Sequence, residues 1–364
     1  MHTDSLLITG ATGLVGAELL TRLRARDADR PIIALVRQPN RLPPVPDVYA
    51  IQGDLRLPNL GLAEEKYKDL QEHVTAIIHA AANVNFSTSL EESRAVNTGG
   101  TGRLLRFANG CPSLDRFAHI STVFVAGQME GEIGEEPLHH ECGFLNPYHQ
   151  SKYEAEQLVL DAMSRIPSAI YRLSTIIGDS TTGEVRQFNS FHWLFRTLFS
   201  HSYPLAVIPA NPEAPMDFIA SDWASEALSI LIRDHFQPGE VYHVCTGAEE
   251  SIRAVALLNL AFTYVVSGEQ SDERRKSLPQ IVSLEEFKQY VTTHYTSSNH
   301  LIRKFLRLSD LFLPHLTLHQ SFQQKRTTTI LDASGCSRPQ TRDYLPKVLA
   351  YCAKLWASKG QRHS

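Results

Sequence analysis

The sequence lacks the long apolar runs and paired cysteines that mark membrane-embedded and disulfide-bonded proteins. No stretch approaches the roughly 20 consecutive apolar residues that a membrane-spanning helix needs. The amino terminus, Met1–Ser5, has neither the basic start nor the apolar segment of a signal peptide. An odd number of dispersed thiols without a CxxC pair favours a reduced, cytoplasmic protein. These cysteines are Cys111, Cys142, Cys245, Cys336 and Cys352.

A surplus of one charge sign is also missing. The chain has 35 Lys and Arg residues against 39 Asp and Glu residues, and both signs are interspersed along its 364 residues. A nucleic-acid-binding surface or an acidic tail would need a one-sided cluster, so we exclude both. Apolar residues make up 43% and charged residues 20%, which is typical of a globular protein with a sizeable core.

Internal repeats, low-complexity linkers and spaced metal-ligand motifs are absent as well. The one cluster of ligand-type residues is His139–Cys142, whose members are neighbours in sequence. Adjacent side chains rarely point at one ion, so we predict no metal site.

Short apolar strands alternate with helical segments over the first half of the chain. One helical pattern continues from the Gly10–Gly16 segment to about Arg26, and others run over Ser93–Asn109 and Ser151–Met163. This alternation predicts an α/β fold with a doubly wound, Rossmann-type parallel sheet. The predicted strands are Leu6–Thr9, Ile32–Val36, Tyr49–Gln52, Ala76–His79, Arg116–Ser121, Ala169–Tyr171 and, later, Val241–Val244.

A glycine-rich turn follows the first strand and opens the first helix. Gly10 permits a tight turn, Gly13 lets a pyrophosphate approach the backbone, and Gly16 lets the helix pack closely on the strand. The amino terminus of that helix then faces the phosphate charge. The GxxGxxG spacing differs from GxGxxG, but its place between strand and helix predicts a dinucleotide-binding site.

The end of the second strand indicates which dinucleotide is preferred. Arg37 stands there, and no carboxylate is present to hold a ribose 2′-hydroxyl. A guanidinium suits a 2′-phosphate, so we predict NADPH, although a solvated surface arginine is the alternative. Asp54, after the third strand, is a candidate acceptor for the adenine amino group or else a loop aspartate.

The sequence Tyr148–Lys152 is a YxxxK motif. Its spacing places the phenol and the ammonium on one helix face. The lysine charge would favour the phenolate and lower the tyrosine pKa from about 10. Thr122, at the end of the fifth strand, presents a hydroxyl near the same crevice, and the three residues form a candidate catalytic set.

At this point the chain resembles the extended short-chain dehydrogenases/reductases, over roughly residues 5–250. Within that family it is most similar to the thioester-reductase and fatty acyl-CoA reductase branch. The motifs appear in the family's order as TGATGLVG (9–16), GDL (53–55), HAAANVNF (79–86), NxxGT (97–101), HIST (119–122), NPYHQSKYEAE (146–156), YRLSTIIGDSTTGE (171–184), MDFIASDWASEAL (216–228) and VYHVCTG (241–247).

The resemblance implies roles for individual residues. Tyr148 would donate the proton, Lys152 would lower its pKa and hold the nicotinamide ribose, and Thr122 would steady the substrate oxygen. The family usually has proline where this chain has Leu173, which leaves the contacts of the nicotinamide loop open. The implied cofactor-binding residues are Gly10, Thr12, Gly13, Leu14, Val15, Gly16, Arg37, Asp54, Leu55, Ala80, Ala81, Asn97, Tyr148 and Lys152; the alternative for Asn97 is an ordinary turn or helix asparagine.

Past Gly183 the pattern becomes mostly helical. We predict an NADP(H)-binding domain from residues 1–182 and 214–248, and a smaller substrate-binding region from 183–213 and 249–364. The aromatic segment Phe188–Phe199 would either line an apolar substrate cleft or bury its face in the core. The amphipathic stretch 301–322 would pack between domains, cover the substrate, meet a carrier protein or touch a membrane surface.

The expected function is reduction by NADPH of an acyl thioester, giving an aldehyde or alcohol. The chain begins directly at the nucleotide domain, so the thioester is expected as a coenzyme A ester or on a separate acyl carrier protein. A ketone or aldehyde reductase, or an epimerase or dehydratase, would use the same catalytic residues. A non-catalytic NADP-sensing protein is the alternative of another class, and the presence of both Tyr148 and Lys152 argues against it.

Overall fold

The computed structural model describes residues 4–199, 206–266, 279–294 and 313–360. The strands are β1 (Ser5–Thr9), β2 (Ile32–Val36), β3 (Val48–Gln52), β4 (Val74–His79), β5 (Arg116–Thr122), β6 (Gly131–Ile133), β7 (Ser168–Leu173), β8 (Thr175–Gly178), β9 (Val207–Pro209), β10 (Pro215–Met216), β11 (Phe218–Ala220), β12 (Val241–Val244), β13 (Ile252–Arg253), β14 (Gln280–Val282) and β15 (Gln320–Phe322). The helices are α1 (Leu14–Arg26), α2 (Glu64–His73), α3 (Leu90–Val96), α4 (Thr98–Asn109), α5 (Pro147–Ala162), α6 (Ser190–Phe199), α7 (Ser221–Arg233), α8 (Ala254–Val266), α9 (Leu284–His294), α10 (Lys325–Ala333) and α11 (Thr341–Gly360).

Seven parallel strands form the central sheet, in the order β3-β2-β1-β4-β5-β7-β12. The chain builds outward from β1 to β3, then crosses over and builds outward again from β4. The order therefore reverses between β1 and β4, and a crevice opens at the carboxyl ends of these two strands. This sheet confirms the predicted Rossmann-type α/β fold.

Alternating side chains of the strands bury against helices on both faces of the sheet. Leu6 and Ile8 of β1 join one hydrophobic cluster, which also includes residues of α1, α7 and α11. Leu7 faces the opposite cluster, which includes residues of α4 and α5. Both faces are covered, which is why these strands are apolar throughout rather than alternating with polar residues.

The mostly helical region after Gly183 has a small hydrophobic core of its own, and it also contributes side chains to the main core. Val207, Leu258, Phe287 and Leu316 belong to that separate core. The last helices, α10 and α11, instead return to the main cluster beside the sheet, and β15 pairs with β6. The division of the chain at residues 182, 213 and 248 into an NADP(H)-binding domain and a substrate-binding region therefore stays a prediction.

Within the stretch 301–322, residues 301–312 lie outside the described part of the chain. A short 3-10 helix at Leu313–Leu316 buries both of its end leucines, and Gln320–Phe322 forms β15. The described portion therefore packs into the fold. Among the residues that the structure describes, no helix combines the length and apolarity needed to cross a membrane.

Candidate active site

The glycine turn after β1 brings three backbone segments into close contact. Gly10 has a φ of +75°, and a Cβ there would lie 2.5 Å from backbone atoms of Ala80 and Ala81. A Cβ on Gly16 would overlap the carbonyl oxygen of Gly10. Both positions accept only glycine without a shift of the backbone, so the turn, the start of α1 and the end of β4 form one tight cradle.

The amino terminus of α1 has the features of an anion site. Gly13 is the N-cap, no side chain caps the helix, and its first turn contains no acidic residue. The unpaired N–H groups and the helix dipole are therefore left available for a phosphate. Thr12 is exposed in the turn, while Leu14 and Val15 are half-buried in the first turn of the helix. These residues fit the pyrophosphate of a dinucleotide.

Positive charge lies beyond the ends of β2 and β3. Arg37 is exposed at the end of β2, where its charge helps to hold the pKa of Asp54 below its usual value. The main cause of that lowered pKa is Arg56, whose guanidinium donates to both carboxylate oxygens of Asp54 at 2.6–3.0 Å. Sequence reasoning missed Arg56, whose only signal was its position two residues after the aspartate. Leu55, the next predicted cofactor-binding residue, packs its side chain against Gly100 of α4.

Asn97 lies at the junction of α3 and α4 and is almost completely buried. Its amide nitrogen donates to the Asn83 carbonyl oxygen at 3.0 Å and to the Ser151 hydroxyl at 2.9 Å, and its oxygen accepts from the Asn83 N–H at 2.7 Å. Since both amide donors are engaged within the protein, we expect Asn97 to position the loop after β4 and the helix carrying Lys152.

The candidate catalytic residues meet at the carboxyl end of β5. Helix α5 begins at Pro147 because Asn146 caps it, and this places Tyr148 in its first turn. Burial raises the pKa of Tyr148 to about 12, and a hydrogen bond with the Thr122 side chain opposes that shift. Thr122 itself ends β5 and is buried.

Lys152 lies one turn further along α5, and its ammonium points at the sheet. It donates to the Ile120 carbonyl oxygen at 2.8 Å and lies 3.5 Å from the imidazole nitrogen Nε2 of His119. Burial lowers the pKa of Lys152 to about 8, although the nearby Glu156 carboxylate favours its charged form. In this structure the ammonium points at Ile120 and burial dominates the Tyr148 pKa, so the lowering of that pKa by Lys152 stays a prediction.

Helix α5 is anchored to the sheet by an ion pair with no exposed surface. Arg172 of β7 donates to Glu156 at 2.5 and 3.1 Å, and the Ser121 hydroxyl donates to the same carboxylate at 2.7 Å. Arg172 also contacts His243 of β12 at 3.1 Å. These contacts fix the helix that carries Tyr148 and Lys152 against three strands. Leu173, where the resemblance implies a proline, ends β7 and is buried in the main core.

An open cleft with an empty volume of about 720 Å³ begins directly after Thr122, at Val123 and Phe124. From the aromatic segment, Phe191 and Leu194 line it, whereas Phe195 and Phe188 pack against Trp356 of α11. The aromatic segment therefore lines the cleft with some of its side chains and packs into the core with others. The other lining residues are Thr175, Pro215, Met216, Asp217, Phe218, Leu257, His315, Leu318, Gln320 and Phe322.

The family model described as male sterility protein, a model of an NAD-binding domain, matches residues 45–228, half of the chain. The chain belongs to this family. The match begins after the glycine turn and Arg37, and it covers the candidate catalytic residues and the start of the cleft. A family model of an NAD-binding domain agrees with the dinucleotide-binding site that the sequence predicts.

Two curated relatives and one solved structure are similar to this chain. The chain is 30% identical over 66% of its length to the nonribosomal peptide synthetase cpsA of Aspergillus campestris, and 29% identical over 66% to the aldehyde reductase lnbA of Aspergillus flavus. It spans only about a quarter of each relative, 25% and 26% respectively. The terminal R domain of the myxalamid PKS-NRPS biosynthetic pathway superposes with a TM-score of 0.78 at 26% identity, covering 98% of this chain and 92% of that one.

Proposed function

We propose that the protein reduces acyl thioesters with NADPH. Bound NADPH would supply a hydride to the thioester carbonyl carbon and become NADP⁺. The carbon–sulfur bond would then break, and the aldehyde would leave together with the thiolate, which takes up a proton from solvent to give the thiol. The observation that carries this proposal is the largely apolar cleft that begins at Val123 and Phe124, directly after Thr122 in the chain.

NADPH is proposed over NADH because of the charges at the ends of β2 and β3. Arg37 has no acidic residue next to it in sequence, and Arg56 lies close by on Asp54. Two guanidinium groups suit a 2′-phosphate, which accepts charged hydrogen bonds from both. Asp54 would accept from the adenine amino group through an oxygen lone pair that Arg56 leaves free.

Thr122 and Tyr148 would bind the carbonyl oxygen. A phenol with a pKa of about 12 is protonated at neutral pH, so Tyr148 is a hydrogen-bond donor to the oxyanion that forms. Lys152, with a pKa of about 8, is mostly cationic at pH 7 and would hold the ribose hydroxyls. The anchored helix would hold the backbone of both residues at the carboxyl end of β5, and the Lys152 ammonium would turn from the Ile120 carbonyl oxygen to reach the ribose.

The substrate is proposed to arrive on a carrier, because a peptide synthetase and the R domain of a synthase pathway are among the similar proteins. Acyl groups in such assemblies are thioesters, and this chain would take one from an acyl carrier protein or as a coenzyme A ester. A cleft lined by Phe191, Leu194, Met216 and Leu257 favours an acyl chain over a sugar nucleotide.

A second candidate is reduction of a free aldehyde or ketone, which the similarity to an aldehyde reductase favours. The same Tyr148 and Thr122 contacts would serve that carbonyl. The two candidates differ in the thiol, which only thioester reduction releases.

A chain-length series of acyl-CoA esters and matching aldehydes, assayed with NADPH, tests the cleft. Each buried methylene contributes about 0.8 kcal/mol, so kcat/KM should rise nearly fourfold per carbon until the cleft is full. Leu194→Ala should shift the optimum towards longer chains. A response of the aldehydes alone would favour the second candidate, and a flat profile in both series would contradict an acyl-binding cleft.

A further inference from the structure

Five rings from four separate parts of the chain meet beside the candidate catalytic tyrosine. Phe86 stacks on Tyr148 with ring centroids 5.5 Å apart, and His149 stacks on Phe124 at 4.8 Å, nearly parallel. His315 approaches His149 edge-on at 5.0 Å and Phe124 at 5.2 Å. We call these five residues the ring cluster. The sequence analysis assigned no role to His149 or His315, although His149 lies inside the YxxxK motif.

The ring cluster contains buried nitrogen atoms without partners. Both ring nitrogens of His149, which is 1% exposed, lack a hydrogen bond, and so does Nε2 of His315. Among the described residues, His149 is the only side chain with two such atoms. By contrast, the buried His79 bonds Thr9 and Thr101 through its two nitrogens, at 2.8 and 2.9 Å. Leaving polar atoms unpaired in an apolar setting is costly, and such atoms call for a partner.

The position of these nitrogens relates them to the substrate. Phe124 and His315 both line the cleft, and His149 follows Tyr148 directly in sequence. The part of the cleft wall formed by Phe191, Leu194, Met216 and Leu257 is apolar. Thr175, Asp217 and Gln320 also line the cleft, but the Asp217 carboxylate accepts from the Thr246 and Gly247 N–H groups, and the Gln320 amide donates to the Gly127 and Met129 carbonyl oxygens. A substrate with one apolar end and one polar end would therefore place its polar end at the ring cluster.

We propose that His149 and His315 bind the amide-bearing thiol arm of an acyl thioester, beside Tyr148. This inference rests on the proposed function and extends it, because it assigns the arm a binding site of its own. The arm of coenzyme A and of acyl carrier proteins is a chain of neutral amides. Each amide presents one N–H donor and one carbonyl acceptor.

The chemistry of the two imidazoles matches an amide rather than an anion. Burial lowers the pKa of His149 well below its ordinary value, and burial lowers that of His315 to about 4. Both rings are therefore neutral at pH 7, and each has one N–H donor and one acceptor nitrogen. A phosphate or carboxylate would need a charged partner, which this cluster does not provide.

The test compares His149→Phe and His315→Phe with the wild-type protein. Phenylalanine keeps the ring packing and removes the nitrogens. For an acyl N-acetylcysteamine thioester, which carries one amide, kcat/KM should fall about tenfold more than for the matching aldehyde, the scale of one lost hydrogen bond. The melting temperature should hold or rise, because unpaired polar atoms are removed. The matched control is His192→Phe, whose two nitrogens are bonded at 2.9 and 3.1 Å and whose loss should lower the melting temperature.

Calorimetric binding of pantetheine in the presence of NADPH gives a second readout that needs no turnover. The wild type should bind this amide-bearing thiol, and His149→Phe should bind it about tenfold more weakly. Equal losses for thioester and aldehyde, or unchanged pantetheine affinity in both variants, would overturn the proposal and leave the imidazoles as packing. A wild type that binds pantetheine but reduces only aldehydes would refute the proposed function while supporting the arm site.

Discussion

Burial shifts the pKa values of the two titratable candidate catalytic residues in opposite directions. It disfavours the charged form of each group, so the pKa of Tyr148 is raised to about 12 and that of Lys152 is lowered to about 8. Tyr148 is thus a neutral donor and Lys152 is mostly a cation at pH 7. The lysine would need to turn from the Ile120 carbonyl towards the tyrosine to lower the phenol pKa.

Tyr148→Phe should reduce turnover by about 10²–10⁴, because it removes the donor to the carbonyl oxygen and keeps the ring stacked on Phe86. NADPH affinity, measured by fluorescence titration, should be retained. Tyr153→Phe is the matched control, since this tyrosine lies on the same helix and its hydroxyl accepts from the His140 N–H at 3.3 Å. Similar turnover in the two variants would remove Tyr148 from the chemistry.

Arg37→Ala should weaken NADPH binding by about 1–3 kcal/mol and leave NADH binding almost unchanged, because only NADPH has the 2′-phosphate. The measurement is the dissociation constant of NADPH and of NADH, each for the variant and for the wild type. Arg342→Ala removes the same charge from α11, where the side chain is 78% exposed, and should change neither constant. Equal affinity of the wild type for NADH and NADPH would contradict this cofactor assignment.

Residue types and spacing were enough to predict Thr122, Tyr148 and Lys152 as one set, because YxxxK and the end of a parallel strand have fixed geometry. The pairing of Arg56 with Asp54 was not predictable, since two residues in a loop have no fixed orientation. His149 and His315 were missed for a different reason. They approach each other through the tertiary fold, and no local pattern links them.

At the scale of secondary structure, α5 is the element on which the site depends. The pair formed by Glu156 and Arg172 is completely buried and ties the helix to β7, while Ser121 ties it to β5. An unpaired buried charge is far more costly than the pair itself is stabilising, so neither partner can be removed alone. The rigidity of this helix is what keeps Tyr148 next to Thr122.

Gly16→Ala should lower stability by about 1–3 kcal/mol, measured by urea unfolding, and weaken NADPH binding, because the new Cβ forces α1 away from Gly10. Gly102→Ala is the matched substitution in another helix, where the Cβ would meet only Leu158 at an ordinary 3.5 Å. Alanine there should be neutral or stabilising by up to about 1 kcal/mol. If both variants bind NADPH like the wild type, the cradle is not the cofactor site.

The strands of the central sheet were predicted to within two residues at each end, since parallel strands buried on both faces are continuous apolar runs. Helix boundaries were less accurate. The helix predicted over Ser93–Asn109 is two helices, α3 and α4, which meet at Asn97, and α3 starts earlier, behind a capping box of Ser89 and Glu92. Helix α5 starts four residues before the predicted Ser151, because the Asn146 cap and Pro147 set its start.

At the scale of the whole molecule, the cleft lies between the nucleotide-binding sheet and the mostly helical region. Val123 and Phe124, directly after Thr122, come from the sheet side, whereas Leu194, Leu257 and His315 come from the region that follows. The fold class followed from the alternation of strands and helices. The cleft could not be predicted from the sequence, because its lining residues are far apart in the chain. They become neighbours only when α6, α8 and the segment before β15 pack together.

The most direct test of thioester reduction is the stoichiometry of thiol release. The protein is incubated with NADPH and a long-chain acyl-CoA, and free thiol, aldehyde or alcohol, and oxidised cofactor are quantified together, with Tyr148→Phe as the matched control. Reduction to the aldehyde predicts one thiol per NADPH oxidised, and reduction to the alcohol predicts one thiol per two, with none released in the absence of NADPH. NADPH oxidation with free aldehydes but no thiol release from any acyl-CoA or carrier-bound thioester would contradict the proposed function.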